Sequence, residues 1–550
     1  MKVLISFFVI VLAAACATAP TNDTGAAAIA GNAADRIRAD VAYLADDARR
    51  GREAGTLGYN DAAQYVADQM AAIGLTPVGD DGGWFQQVPL RSSVRNHDES
   101  KLIVTNADGS ETILVNLDDY VIFPNSASVE PESAMEASGE AVFAGYGVHA
   151  PEFDHDDFAG LDVDGKIVVY FSGAPDSFHS EPRAHFGSSS NKRKHLEQIG
   201  AIGAVILRKS DSVKRSPWER QIANPASKSM TWIGPDGTAD VSGPGVSVSA
   251  VLRQKKSEVL FAGAPKSFAA VLAEADAEGG APKGFDLAVK VLLRGAVKNE
   301  MIDSPNVAGI LAGADPELKD EVVVLTGHLD HIGVNQKLID EGKDGINNGA
   351  MDNALGIATM LEAARALTAG ERPARSIMFL AVTAEEKGLL GADYFVHFPT
   401  VARENIVANV NLDMPLVLYE FTDVIAFGAE RSTLEPIVRA AAAEAGITLS
   451  PDPIPEQGLF TRSDHYRFVE KGVPSMFLVV GFANGGEEQF GEFLKNHYHK
   501  PSDEISLPIL YDDAVRFADI NTRIARGIAN TENRPRWNED DFFGDLFAGD

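Results

Sequence analysis

Apolar residues recur at helical spacing twice near the start of the chain, over residues 37–44 and 60–73. In the second stretch Ala62, Tyr65, Val66, Met70 and Ile73 fall on one stripe, and Gly74 follows as a C-terminal stop. Between residues 131 and 283 the texture changes. Short β-like runs such as 165–170 (GKIVVY) and 204–207 (AVIL) alternate with clusters of Gly, Pro, Ser and Asp. Beyond Asn306 continuous apolar runs appear at 321–326 (EVVVLT), 376–382 (SIMFLAV) and 406–412 (IVANVNL). Helical patterns at 354–367, 434–445 and 511–529 alternate with them. Unbroken apolar strands separated by helices predict an α/β fold, a mostly parallel mixed sheet with helices on both faces. The Gly- and Pro-punctuated middle region predicts a separate β-rich unit.

A length of 550 residues agrees with more than one domain. Lys and Arg total 48 against 79 Asp and Glu, a formal charge of −31, and no basic stripe interrupts the excess. Such a chain repels phosphate backbones, so nucleic acid is excluded as a partner. The one long apolar run, residues 3–15, follows Lys2, is short for a permanent span and ends in small residues. It reads as a secretory leader. The single cysteine, Cys16, follows directly, as in a lipobox, with Ala13 where that pattern carries Leu. The expectation is an exported, periplasmic or membrane-anchored bacterial lipoprotein, whose contact with the membrane is a lipid on Cys16. With one cysteine the mature chain has no internal disulfide.

Polar residues stand where each predicted strand stops. The first strand runs into Gly327-His328-Leu329-Asp330-His331, the second into Ala384-Glu385-Glu386 and the third into Asp413. Asp352 precedes a helix, and His497 and His499 follow near the end. Ligands of open α/β sheets bind at the carboxyl ends of the strands, so one cleft collects these His and five carboxylates. Like charges so close need protons or cations. Mixed imidazole and carboxylate ligands suit zinc, and a shared carboxylate can bridge two ions. Ser463-Asp464-His465 resembles a hydrolase triad in composition, but adjacent residues do not converge as a triad must.

The strings GHLDHIG (327–333), NNGAMDNALG (347–356), AEEKGLLGADYF (384–395), NLDM (411–414), RSDHYRF (462–468) and YHKPSDE (498–504) occur in order. Together they resemble the co-catalytic dizinc aminopeptidase family, which includes glutamate carboxypeptidase and transferrin-receptor relatives. The opening helix region 51–77 is similar to bacterial members. VFAGYGV (142–148) and LDVDGKIVVY (161–170) resemble an inserted protease-associated domain. The resemblance implies two divalent ions, zinc foremost, one held by His328, Asp352 and Asp413 and the other by Asp352, Glu386 and His499. Asp330 would take the second ring N–H of His328, and Glu385 would be the general base acting on a water shared by the metals. His465 and Arg462 are candidate substrate-side residues, whereas His331 and His497 are expected to be structural neighbours. The expected organisation is a leader with lipobox (1–16), a tether (17–34), the first part of the peptidase domain (35–130), the protease-associated insert (131–285), the catalytic part (286–535) and an acidic tail (536–550). The implied activity is removal of N-terminal residues from peptide substrates. A carboxypeptidase or dipeptidase of the same clan is the alternative, and a non-catalytic receptor-like binding protein a more distant one.

Overall fold

The structure, a computed structural model, describes residues 31–225 and 227–549. The leader and Cys16 lie outside the described residues. Helix Ala33–Leu44 begins within the stretch expected to be tether, because Asn32 caps it and exchanges hydrogen bonds with Asp35. Helix Leu57–Ile73 follows and ends at Gly74 with φ +92°.

Among the described residues the chain builds two nine-stranded sheets. In the C-terminal sheet, Val322–His328 lies between Ser376–Val382 and Ile406–Leu412, parallel to both, and Ile406–Leu412 is parallel to Ser475–Val480. Asn306–Leu311 and Asp423–Phe427 flank this parallel centre antiparallel. Every residue of Val322–His328, Ser376–Val382 and Ile406–Leu412 is buried. The reason is the double cover. Val323 and Leu325 face helices Leu355–Ala369 and Tyr511–Asn530 on one side. Val322 and Val324 face Phe395 and Phe468 on the other. The α/β sheet covered on both faces is therefore as the apolar runs required.

The second sheet is wider than the sequence boundaries of 131 and 285 suggest. Its longest strands, Pro89–Asn106 and Phe285–Asp303, pair antiparallel from Pro89 with Asp303 to Asn106 with Val289. Residues 89–124 thus belong with the inserted lobe rather than with the peptidase layer. Charged residues such as Arg95, Asp98, Glu99 and Lys101 hide Pro89–Asn106 in the sequence, because much of the strand is half-exposed and carries polar groups. The chain leaves the peptidase layer at Val88 and re-enters at Ser304, whose N–H donates to the Val88 carbonyl at 3.2 Å. Adjacent stems of this kind are how a domain is inserted without disturbing its host.

The C-terminal segment is also not a free tail. Trp537 Nε1–H donates to the Gly472 carbonyl at 2.8 Å, and helix Phe542–Phe547 buries Phe543 completely. Phe543 packs against Phe460 and Tyr466, with ring centroids 5.3 and 5.8 Å away. Three phenylalanines in an acidic stretch outweigh its charge by burying aromatic surface.

Candidate metal centre

His328 is the last residue of its strand and is 1% exposed. Its Nε2 lies 3.2 Å from Asp352 Oδ1 and 3.2 Å from Asp413 Oδ1. Its Nδ1–H donates to a carbonyl at 3.1 Å, and that carbonyl is the main chain of Asp330. The expected contact with the Asp330 carboxylate is therefore corrected. That carboxylate turns away and accepts the N–H groups of Glu385 and Glu386 at 3.0 and 3.4 Å. It caps the tight turn Glu385–Lys387, which opens from Ala384 in a left-handed conformation with φ +52°.

Asp352 occupies the irregular turn Ala350–Ala354 ahead of helix Leu355–Ala369. The buried Asp503 carboxylate holds this turn by accepting from Met351 N–H at 2.9 Å and Asp352 N–H at 3.1 Å. Asp352 thus presents Oδ1 to His328 and Oδ2 to His499, whose Nε2 is 3.4 Å away. His499 Nε2 is also 3.2 Å from Glu386 Oε2. His499 has φ +56° and stacks on Tyr498 at 3.8 Å, a strained backbone of the kind found at functional sites.

The five expected ligands converge, and the site contains more. His331 is fully buried, with Nδ1 2.8 Å from Glu386 Oε1 and 3.8 Å from Asp352 Oδ2. That 2.8 Å contact pairs Nδ1 with Glu386 Oε1, whereas His331 Nε2 has no hydrogen-bond partner among the described residues. His331 is therefore in the ligand cluster rather than beside it. His497 turns instead to Ser502, with Nδ1 3.0 Å from the hydroxyl.

Asp413 is oriented by a chain of buried hydrogen bonds that the sequence does not announce. Ser463 Oγ donates to Asp413 Oδ2 at 2.7 Å, Asn411 Nδ2 donates to Ser463 Oγ at 2.7 Å, and Thr326 Oγ1 donates to Asn411 Oδ1 at 2.6 Å. Asn353 ties two ligand loops by donating to the carbonyls of His328 and Leu412. Thr326 and Asn411, polar residues within otherwise apolar strands, were the available signal. His465 is a further correction. It is wholly buried between Phe460 and Phe477, 5.2 and 5.5 Å between centroids, and does not line the cleft. Burial pulls its imidazole down to about 3.

The electrostatics reflect the crowding. Burial opposes a charged His328, but Asp413 and Glu385 raise it well above its ordinary value. Burial likewise opposes charge on His499, and hydrogen bonds to Asp352 and Glu386 carry it up to about 10. Asp352 is held well below the usual carboxylate range by His331, His328 and His499 in spite of its burial. Burial raises Glu385 well above that range, and Asp464, Glu386 and Asp413 add to the effect. In each of two sets, His328 with Asp352 and Asp413, and His331 with Asp352 and Glu386, the three ligand atoms lie within 4.8 Å of one another. Asp352 belongs to both. Buried imidazole and carboxylate atoms crowded into one mixed donor set are what zinc requires.

The centre opens into a cavity of about 540 Å3 walled by Leu416, Ile425, Phe427, Phe477, Val479 and Phe490. Glu385 lines it beside the ligands, and exposed Arg462 lies in its lining. The Arg462 guanidinium has no hydrogen bond or ion pair among the described residues.

Residues 306–525 match the family model described as peptidase family M28. Over that stretch the chain is similar to the M28 peptidases. A stretch of 191 residues is 31% identical to the "probable leucine aminopeptidase 2" of Aspergillus oryzae, 34% of this chain and 35% of that protein. Another of 207 residues is 30% identical to "Aminopeptidase YwaD" of Bacillus subtilis, 37% of this chain and 40% of the relative. Over 108 residues the chain is 38% identical to a "Probable zinc metalloprotease" of Pyrenophora tritici-repentis, 20% of this chain and 23% of the relative. The chain thus spans well under half the length of these curated relatives. The likeness in fold extends beyond residues 306–525. The solved aminopeptidase from Aneurinibacillus sp. strain AM-1 superposes with a TM-score of 0.52 at 17% identity, covering 92% of this chain and 97% of that one.

Proposed function

We propose that this protein is an exported metallo-aminopeptidase that hydrolyses the first peptide bond of short peptides. The observation that carries the reading is the Asp352 carboxylate, which offers one oxygen to each of two ligand sets, with Glu385 lining the same cavity. His328, Asp352 and Asp413 would hold one divalent ion, and Asp352, Glu386 and His499, with His331 alongside, the other. Zinc bound there supplies Lewis acidity, lowering the pKa of water and stabilising the oxyanion formed at the scissile carbonyl. Glu385 accepts a proton from the attacking water and delivers it to the departing amine. Its burial favours a held proton, as that shuttle needs. The apolar cavity takes the side chain of the first residue and keeps bulk water from it.

The inserted lobe, read as a protease-associated domain, limits substrate length. Its helix Ser180–Gly187 packs on the turns Pro455–Gln457 and Leu459–Thr461, and Gln457 and Leu459 line the cavity. Export, with a lipid on Cys16, is supported by the leader pattern.

The test is cleavage of a peptide with a free N-terminus against its N-acetylated twin, together with the metal content of the purified protein. Two ions per chain, turnover of the free amine alone, and loss of turnover in Glu385→Gln with metal retained are expected. Cleavage of the acetylated peptide, or release from the carboxyl end, would replace this reading with the carboxypeptidase one.

A further inference from the structure

The turn Arg50–Gly51–Arg52 is left-handed throughout, with φ of +48°, +69° and +46°. Two arginines in that region are strained, and strain of this kind persists where the surroundings demand it. Here the turn is wedged between two ligand loops. The Gly51 carbonyl accepts from Gly333 N–H at 3.1 Å, and the Arg52 carbonyl from His331 N–H at 3.2 Å. A Cβ on Gly51 would lie 2.6 Å from the carbonyl oxygens of both Asn347 and Gly333, so only glycine fits.

Arg52 itself is completely buried, and among the described residues its guanidinium meets no carboxylate in hydrogen-bond range. It donates instead to four carbonyls. Nε reaches Leu329 at 3.0 Å, Nη1 reaches Leu44 at 2.7 Å and Asn348 at 2.6 Å, and Nη2 reaches Gly349 at 3.0 Å. Leu329 follows the ligand His328. Asn348 and Gly349 lead into the turn that presents Asp352. Leu44 ends helix Ala33–Leu44, where an unpaired carbonyl and the negative helix pole favour a cation. A buried guanidinium is costly unless opposite charge compensates it. The compensation comes from Asp503, Asp330, Asp352 and Glu386, three of them in or beside the ligand set. A planar fork with fixed donors can span four carbonyls on three segments, whereas an ammonium on a flexible stem cannot.

We propose that Arg52 is a positioning residue of the metal centre: it sets the separation of the His328–His331 loop from the turn bearing Asp352. Metal affinity then depends on a segment outside residues 306–525, the part that matches the M28 model. The proposal rests on the metal-binding reading of the site and is independent of which peptide bond is cut.

The experiment measures Zn2+ affinity of the full chain by competition with a chelator, for wild type, Arg52→Met and Arg52→Lys. The visible spectrum of the Co2+-loaded proteins reports ligand geometry. Expected are Zn2+ binding weaker by about 10- to 100-fold in Arg52→Met, a smaller loss in Arg52→Lys, and altered Co2+ bands in both. Arg52→Lys keeps the buried charge, so it carries the test if Arg52→Met does not fold. A folded Arg52→Lys with wild-type affinity and an unchanged Co2+ spectrum overturns the proposal. Absence of Zn2+ binding in wild type overturns the metal reading of the site and this proposal with it.

Discussion

The carboxylate of Asp330 accepts the main-chain N–H of Glu385 at 3.0 Å, so an acid on the first strand's loop sets the position of the acid after the second. It also reaches Glu386 N–H at 3.4 Å. Burial moves this carboxyl up to about 6, with the two N–H groups acting against that rise. An amide at this position offers one acceptor oxygen to two donors and points an NH2 at the other. Asp330→Asn is expected to lower kcat for a free-amine peptide by about 10- to 100-fold. Steady-state kinetics with metal analysis on the same sample is the check, and unchanged kcat would remove Asp330 from the machinery.

Ser463 acts on the other side of the centre. Ser463→Ala takes the donor from Asp413 Oδ2 and leaves Asn411 Nδ2 buried without its acceptor. Zn2+ affinity is expected to fall by about tenfold, with the metal-free fold retained. Chelator competition and far-ultraviolet circular dichroism on the same preparation separate lost affinity from lost fold.

The candidate ligands at strand ends were legible because each stands where an unbroken apolar run stops, at His328, after Val382 and at Asp413. What those side chains do once there depends on contacts between distant segments. Ser463 is separated by 50 residues from Asp413, and the partner of Asp330 is a backbone N–H 55 residues on. No periodicity reports such meetings. His331 was read as structural because three residues from His328 along an irregular loop gives no direction for its ring. His465, expected on the substrate side, is instead turned by the short helix His465–Val469 into Phe460 and Phe477. The inserted lobe was recognisable in its short strands, and its outer limits were lost in the charged strand Pro89–Asn106.

Among the described residues that line the cavity, Arg462 is the one Arg or Lys side chain. It adjoins Ser463, whose hydroxyl is 2.7 Å from Asp413, so its guanidinium is anchored one residue from a group that touches a ligand. On the proposed aminopeptidase reading, a dipeptide held with its scissile carbonyl at the metal centre is expected to bring its terminal carboxylate towards Arg462. Arg462→Ala is expected to reduce kcat/KM for a dipeptide by about tenfold and to leave its C-terminal amide nearly unaffected. Equal losses on acid and amide would show that Arg462 does not read the carboxylate.

His185 joins the two lobes. Its Nδ1 lies 2.8 Å from the Tyr466 hydroxyl and 3.1 Å from the Asn191 amide, and its ring packs against Phe186, Phe542 and Phe547. Burial, with a smaller contribution from Lys194, lowers its pKa to about 4. In the unfolded chain it titrates near 6.5. Between these values the unfolded state binds the proton and the folded state does not, so stability must fall as pH drops from about 6.5 towards 4. Above that window the neutral ring contributes in full. His185→Gln removes the titration and keeps a polar group for Tyr466. Wild type is therefore expected to lose roughly 2 kcal/mol relative to His185→Gln between pH 7 and pH 4.5. Urea unfolding at both pH values, followed by the aromatic signal, measures that difference. Parallel pH dependence in the two proteins would mean that the ring is already charged in the folded state and that the aromatic cluster does not exclude the proton.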